Sequence, residues 1–204
     1  MERRSIYADV FGFVAGLTNS LSLLNMGVFT THLTGALTNA GVSLGSIDFV
    51  SFALYIGVFA SFIIGSILAA ALMAKKSFTY ASLITAALLI IVGLFMPAQI
   101  QKRSADQLLF SFLAATTMGA QNASTGLTPI GRTTHITGAS TDFGAAIAKK
   151  DLKNTVRLGL FLLCFMIGIL TAFYLQTIVG PRGFIVAGAC LAAAVLVQRN
   201  YRAF

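Results

Sequence analysis

Thr30-Thr31-His32-Leu33-Thr34-Gly35-Ala36-Leu37-Thr38-Asn39-Ala40-Gly41 is written twice in this chain. It returns as Thr133-Thr134-His135-Ile136-Thr137-Gly138-Ala139-Ser140-Thr141-Asp142-Phe143-Gly144, at a constant offset of 103 positions. Eight of the twelve residues are identical, and the two histidines of the protein, His32 and His135, hold the same place in each copy. The match runs on in both directions. Gly16 and Asn19 align with Gly119 and Asn122, Asp48 with Asp151, Phe62 with Phe165, Gly65 with Gly168 and Ala69 with Ala172. The chain therefore reads as two halves, residues 1 to about 101 and about 104 to 204, joined by a polar connector from Gln101 to Asp106.

The composition sets the solvent. Of 204 residues, 57% are hydrophobic and 10% are charged, and the mean hydropathy is +0.86. A soluble domain carries about 25% charged residues, so this is the composition of a membrane protein. Mostly apolar stretches run over 49–73, 78–100, 107–130, 158–179 and 183–197, with a further span read at 8–29. Each approaches the roughly 20 residues a helix needs to cross the hydrocarbon. The runs are continuous and lack the period-two alternation of a barrel. No small-x-small cleavage site follows the Met-Glu-Arg-Arg start, so the first run reads as a retained span and not as a signal peptide.

Six spans with the first residue inside place eleven basic residues in the cytoplasm. They are Arg3, Arg4, Lys75, Lys76, Arg132, Lys149, Lys150, Lys153, Arg157, Arg199 and Arg202, against Lys102, Arg103 and Arg182 outside. The positive-inside rule then predicts that both termini are cytoplasmic. It also accounts for the net charge of +8 without invoking nucleic acid. Three spans per half force the second half to insert upside down. The expected fold is an all-α integral membrane protein, residues 1–204 as one membrane domain, with six helices arranged as two inverted three-helix repeats.

Spans one and four are the polar ones. Thr18, Asn19, Ser22 and Asn25 align with Gln121, Asn122, Thr125 and Thr128. The spacing i, i+4, i+7 puts Thr18, Ser22 and Asn25 on one face, and Gln121, Thr125 and Thr128 on another. Such a face points at the bundle interior or at a hydrated cavity. It serves either as interhelical glue or as a polar path. Gly27 in one half, and Pro129 with Gly131 in the other, break the helix just before the motif. Broken or re-entrant segments are expected there, with the threonines as N-caps and Gly41 or Gly144 closing a short helix.

Amides at a half-helix N-terminus, beside hydroxyls and an imidazole, suit an anion or a polar neutral solute. The candidate binding residues are Thr18, Asn19, Ser22, Asn25, Thr30, Thr31, His32, Thr34, Gly35, Gln121, Asn122, Thr125, Thr133, Thr134, His135, Thr137 and Gly138. The histidines could cap helices, handle substrate or protons, or ligate a metal, for which two ligands fall short. Asp9, Asp48, Asp106, Asp142 and Asp151 fall at span ends or in loops, leaving no lipid-buried carboxylate for a relay. Cys164 and Cys190 read as apolar fillers. No phosphate-binding loop, zinc-protease helix or nucleophile elbow is present. The sequence thus predicts no enzyme and no cofactor.

The segments Gly16-Leu17-Thr18-Asn19, Gly27-Val28-Phe29, Met118-Gly119-Ala120-Gln121-Asn122-Ala123 and Thr133-Thr134-His135-Ile136-Thr137-Gly138 carry a resemblance covering nearly the whole chain. The sequence resembles the YoaK family of bacterial inner-membrane proteins, a domain of unknown function. In the first half, Thr34-Gly35-Ala36 stands where that family has Thr-Gly-Asn. The resemblance implies a six-span protein of the bacterial inner membrane and brings no substrate or catalytic residues. The expected role is a small transporter or channel-like carrier for a polar or anionic solute, with a proton-coupled option. The alternative is a non-transporting scaffold whose motifs lock the halves together. The lipid bilayer is the expected surrounding, and a homo-oligomer is compatible with so small a bundle.

Overall fold

The computed structural model describes residues 3–199, and the side chains of residues 6–197. Eight α-helices follow in order: α1 (Arg3–Met26), α2 (Leu33–Gly45), α3 (Phe49–Lys75), α4 (Phe78–Phe95), α5 (Ala105–Gly126), α6 (Ile136–Ala148), α7 (Leu152–Ile178) and α8 (Gly183–Arg199). Among the described residues there is no strand. Five helices, α1, α3, α4, α7 and the last with its preceding turn, are long and apolar enough to cross a membrane. The remaining long helix, α5, has 22 residues but a polar composition, and it buries Gln107, Ser111, Thr117, Gln121, Ser124 and Thr125. Arg202 lies outside the described residues, as do the side chains of Arg3, Arg4 and Arg199.

The boundaries respect the offset of 103. Helices α2 and α3 end at Gly45 and Lys75, and α6 and α7 at Ala148 and Ile178, the same positions one repeat later. Both short helices stop in the same way. Ile47 and Lys150 adopt φ of 60° and 55°, and Asp48 N–H donates to the Ser43 carbonyl as Asp151 N–H does to that of Ala146. This left-handed closure ties off the last carbonyls. The carboxylates of Asp48 and Asp151 then receive the Ser51 and Asn154 amides, capping α3 and α7.

Four expectations need correction. Gly41 and Gly144 lie inside helices and do not end them. Helix α4 stops at Phe95 and not near Ile100, because Met96 precedes Pro97 and is driven to extended backbone (φ −66°, ψ 127°). Helix α7 begins at Leu152, six residues before the apolar run, because Asp151 caps it there. Helix α1 ends at Met26, where Gly27 takes φ of 74°.

The largest helix interfaces join one half of the chain to the other. Helix α1 packs along α7, α3 along α5, and α4 along α8. Under the 103 shift the first two pairs exchange and the third maps onto itself. Both exchanged crossings are made possible by glycine. A Cβ on Gly16 would lie 2.2 Å from the Phe165 carbonyl oxygen, and one on Gly119 would lie 1.9 Å from that of Phe62. Gly168 meets Phe13, and Gly65 meets Thr116, in the same manner. Backbones this close need small residues at the contact, which is how apolar helices gain van der Waals packing where lipid supplies no hydrophobic drive.

The buried apolar centre is drawn from both halves, with Phe11, Leu21, Val58, Leu89, Met118, Phe184 and Leu191 each at most 1% exposed. The α1 span is 67% buried whereas those of α3 and α7 are 28% and 22% buried. The outer faces of those two helices carry Ile64, Leu68, Leu163, Leu170 and Phe173 in the open. A band of exposed aliphatic side chains this broad is an apolar perimeter.

Candidate functional site

After α1 the chain doubles back. Gly27 turns it, and the Asn19 carboxamide oxygen accepts the backbone amides of Thr30 and Thr31 at 3.0 and 3.1 Å. The Thr30 hydroxyl donates to Ser22 at 3.3 Å. Asn19 sits seven residues before the end of α1, about 10 Å below it at 1.5 Å per residue. The motif is therefore drawn back along α1, and α2 starts at that depth. In the second half Gly131 turns the chain with φ of 84°. The Thr133 hydroxyl meets Thr125 at 3.2 Å and the Gln121 amide at 3.3 Å.

His32 and His135 occupy the N-cap positions of α2 and α6, and neither side chain bonds to the first turn. The threonines do not cap these helices either, since Thr34 and Thr137 are already the second helical residues. Instead each imidazole lies over the glycine three residues on. A Cβ at Gly35 would stand 2.0 Å from a His32 ring carbon, and one at Gly138 would stand 2.5 Å from the matching carbon of His135. This explains the His-x-Thr-Gly spacing: the glycine leaves a seat for the ring. Phe29 completes the first seat with an edge contact to His32, ring centroids 6.2 Å apart.

With the side chains turned away, the first-turn amides of both helices have no capping partner from the N-cap residue. Both helix starts line one cleft of about 1020 Å³. Its walls repeat the 103 shift: Asn19 with Asn122, Thr31 with Thr134, His32 with His135, Thr34 with Thr137 and Phe62 with Phe165. Phe29 is matched by Arg132. The cleft extends between α3 and α5, where Ser66, Ile67 and Gly126 contribute. Among the described residues, Arg132 is the charged one in its wall and no carboxylate lines it. Positive helix ends, hydroxyls, imidazoles and one guanidinium make a surface that favours anionic or hydrogen-bond-accepting groups.

The structure thus sorts the residues singled out in the sequence. Asn19, Thr31, His32, Thr34, Asn122, Thr134, His135 and Thr137 share the cleft. Gly35 and Gly138 support the rings. Thr18, Ser22, Gln121, Thr125, Thr30 and Thr133 are at most 1% exposed and stand behind the cleft as struts. The Gln121 amide also reaches the Phe11 carbonyl of α1 at 2.9 Å. Asn25 pairs with Gln176 of α7 at 2.7 Å, away from the cleft. Sequence reasoning missed Arg132, Phe29, Phe62, Phe165 and Ser66 as wall residues. Only Arg132 carried a signal, as the charge directly before the second motif.

A second chamber of about 350 Å³ adjoins the motif of the second half, and His135 lines it as well as the main cleft. Asp9 faces it from α1. The sequence places that residue at a span end, and in the structure it is 8% exposed, with a buried oxygen that has no hydrogen-bond partner.

No curated protein and no solved structure matches the chain. A family model does: the one described as "Protein of unknown function (DUF1275)" matches residues 8–197, and the chain belongs to that family.

Proposed function

We propose that this protein is a small transporter or channel-like carrier that passes a small polar or anionic solute through the cleft between two inverted halves. The observation that carries the reading is the convergence of both Thr-Thr-His-x-Thr-Gly motifs on one cleft. Paired, uncapped helix starts facing a shared cavity are how discontinuous helices hold solute in inverted-repeat carriers. The exchange of α1·α7 for α3·α5 supports the inverted pairing. In this reading α5 is the sixth span, matched to α1, and its polar side chains are tolerable because they are buried in protein and not in lipid. The protein lies in the bacterial inner membrane with both termini cytoplasmic, on the distribution of its basic residues. The reading includes no catalytic step.

Purified protein in liposomes tests this, with acetate, nitrate and phosphate as anionic probes and glycerol and urea as neutral ones. At least one should cross faster than in protein-free vesicles, and His32→Ala and Thr137→Ala should each slow it. If no probe crosses, or neither substitution matters, the carrier reading is wrong. Cysteine labelling tests the orientation: Lys102→Cys should react from the periplasmic side, Lys76→Cys and Lys149→Cys from the cytoplasmic side.

A second reading, a non-transporting scaffold, draws on the burial of Thr18, Ser22, Gln121 and Thr125 behind the cleft. It predicts that His32→Ala and Thr137→Ala lower thermal stability and change no flux.

A further inference from the structure

The smaller chamber breaks the likeness of the two halves. Asp9, Arg132, Asp142 and Arg157 line it together with His135 and Phe161. At the offset of 103 these charged residues align with Phe112, Phe29, Asn39 and Leu54, whereas His135 aligns with His32. The chamber therefore gathers four charges, Asp9 from the first half and three from the second, where the equivalent positions carry none, around a histidine that both halves possess. The chamber lies on the side on which α1 begins, and the symmetry-equivalent positions on the other side supply no charge.

Asp9 is the unusual member. It is 8% exposed, and its Oδ1 is buried without a hydrogen-bond partner. No carboxylate of the chamber is in a salt bridge among the described residues, where Arg103 with Asp48 is the pair that forms. The groups around Asp9 come from three places. Arg132 and His135 precede α6, Asp142 lies on α6, and Arg157 lies on α7. The Cys164 thiol of α7 is within electrostatic reach of the carboxyl. Among the described residues, helices α5 and α8 bring none to the chamber wall. A carboxyl held inside a spanning helix at the wall of a polar chamber, with a buried oxygen that has no partner, is costly while charged, which marks it as a place that takes up a proton or a ligand.

We propose that this chamber is a one-sided proton site, in which Asp9 takes a proton from water on the α1-start side and exchanges it with His135. The proton first sits on the Asp9 carboxylate as the neutral acid. It then moves to the His135 imidazole, regenerating the carboxylate and leaving an imidazolium, which releases the proton into the main cleft. His135 can serve both spaces because it lines both. Release of that proton restores the starting state. The use of the site rests on the carrier reading; the site itself does not.

Infrared difference spectra of the full-length protein during a pH titration test the site directly. A carboxyl C=O band should titrate, vanish in Asp9→Asn, return in Asp9→Glu, and shift its midpoint by about half a unit or more in His135→Gln. Asp142→Asn should leave the band in place. If Asp9→Asn removes no band, or His135→Gln leaves the midpoint unmoved, the proposal is overturned. Pyranine-loaded liposomes under a potassium diffusion potential then test its use, with proton flux expected to fall about tenfold in Asp9→Asn. Coupled titration with no flux in the wild type would uphold the site and sink the carrier reading.

Discussion

Gly119 on α5 and Phe62 on α3 meet so closely that a Cβ on the glycine would stand 1.9 Å from the phenylalanine carbonyl oxygen. The contact is to backbone, which cannot rotate away as a side chain could. Gly119→Ala must therefore push two helices apart, and overpacking of this kind costs about 1–3 kcal/mol or more. Gly16→Ala, against the Phe165 carbonyl, should cost a similar amount. Gly41, inside α2 with nothing near its missing Cβ, is the control. Gly41→Ala should be neutral or stabilising by up to about 1 kcal/mol through helix propensity. Thermal unfolding in detergent separates the three, and equal effects at Gly119 and Gly41 would contradict the packing argument.

The ring of His32 and the hydrogen face of Gly35 form a second dependence. Gly35→Ala should displace the imidazole, because the new methyl would overlap a ring carbon at 2.0 Å. In a His32→Ala background the same substitution should do no harm, since the space is then empty and alanine favours the helix. A double-mutant cycle reads this as a coupling of about 1 kcal/mol or more. The coupling at His135 and Gly138 should be smaller, because that Cβ would stand 2.5 Å from the ring. Additive effects at both pairs would show that the rings are not seated on the glycines.

The repeat made much of this legible in advance. The offset of 103 placed all four motif-bearing elements, and the polar residues of α1 and α5 marked the helices that line the interior. The face was harder to choose. The stripe Thr18, Ser22 and Asn25 follows helical spacing, yet Asn19, one residue and about 100° away, is the one that reaches the cleft. Spacing finds a polar face but not what folds back against it. That depended on a turn at Gly27 whose direction no periodicity encodes. The partner exchange between halves was hidden for a related reason: glycines at positions 16, 65, 119 and 168 show where backbones meet, not which ones. Asp9 was placed at a span end because the first span was read from residue 8, whereas a helix described from Arg3 puts it more than a turn inside α1.

Asn19 and Asn122 are identical in sequence and unequal in bonding. Asn19 Oδ1 accepts two backbone amides, whereas Asn122 Oδ1 is buried without a partner. Asn19→Ala orphans the Thr30 and Thr31 amides and should cost about 1–3 kcal/mol. It should also raise hydrogen exchange through residues 28–32, because the return of the chain loses its anchor. Asn122→Ala removes an oxygen that satisfies nothing and should cost clearly less. Exchange mass spectrometry of the two variants decides the matter. Equal protection loss in both halves would mean that Asn122 holds its segment as Asn19 does.

The corner carboxylates give the fold a dependence on acid. Hydrogen bonds from Ser51 hold Asp48 below its ordinary value of 3.8, and Asn154 does the same for Asp151. A carboxyl depressed in the folded state stabilises it above the unfolded value, and that stabilisation is lost as pH falls through the lower folded one. The α2–α3 and α6–α7 corners should therefore stay closed at pH 5 and loosen below about 3.8. Arg103, paired with Asp48 at 2.6 Å but 64% exposed, should contribute little, so added salt should barely move the transition. Asp48→Asn keeps a side chain able to cap α3 but removes the titrating group. Its corner should lose the acid dependence while that at Asp151 retains it. Cysteine accessibility at Ile47→Cys and Lys150→Cys, measured across this range, reads both corners, and an unchanged profile in Asp48→Asn would show that another group drives the opening.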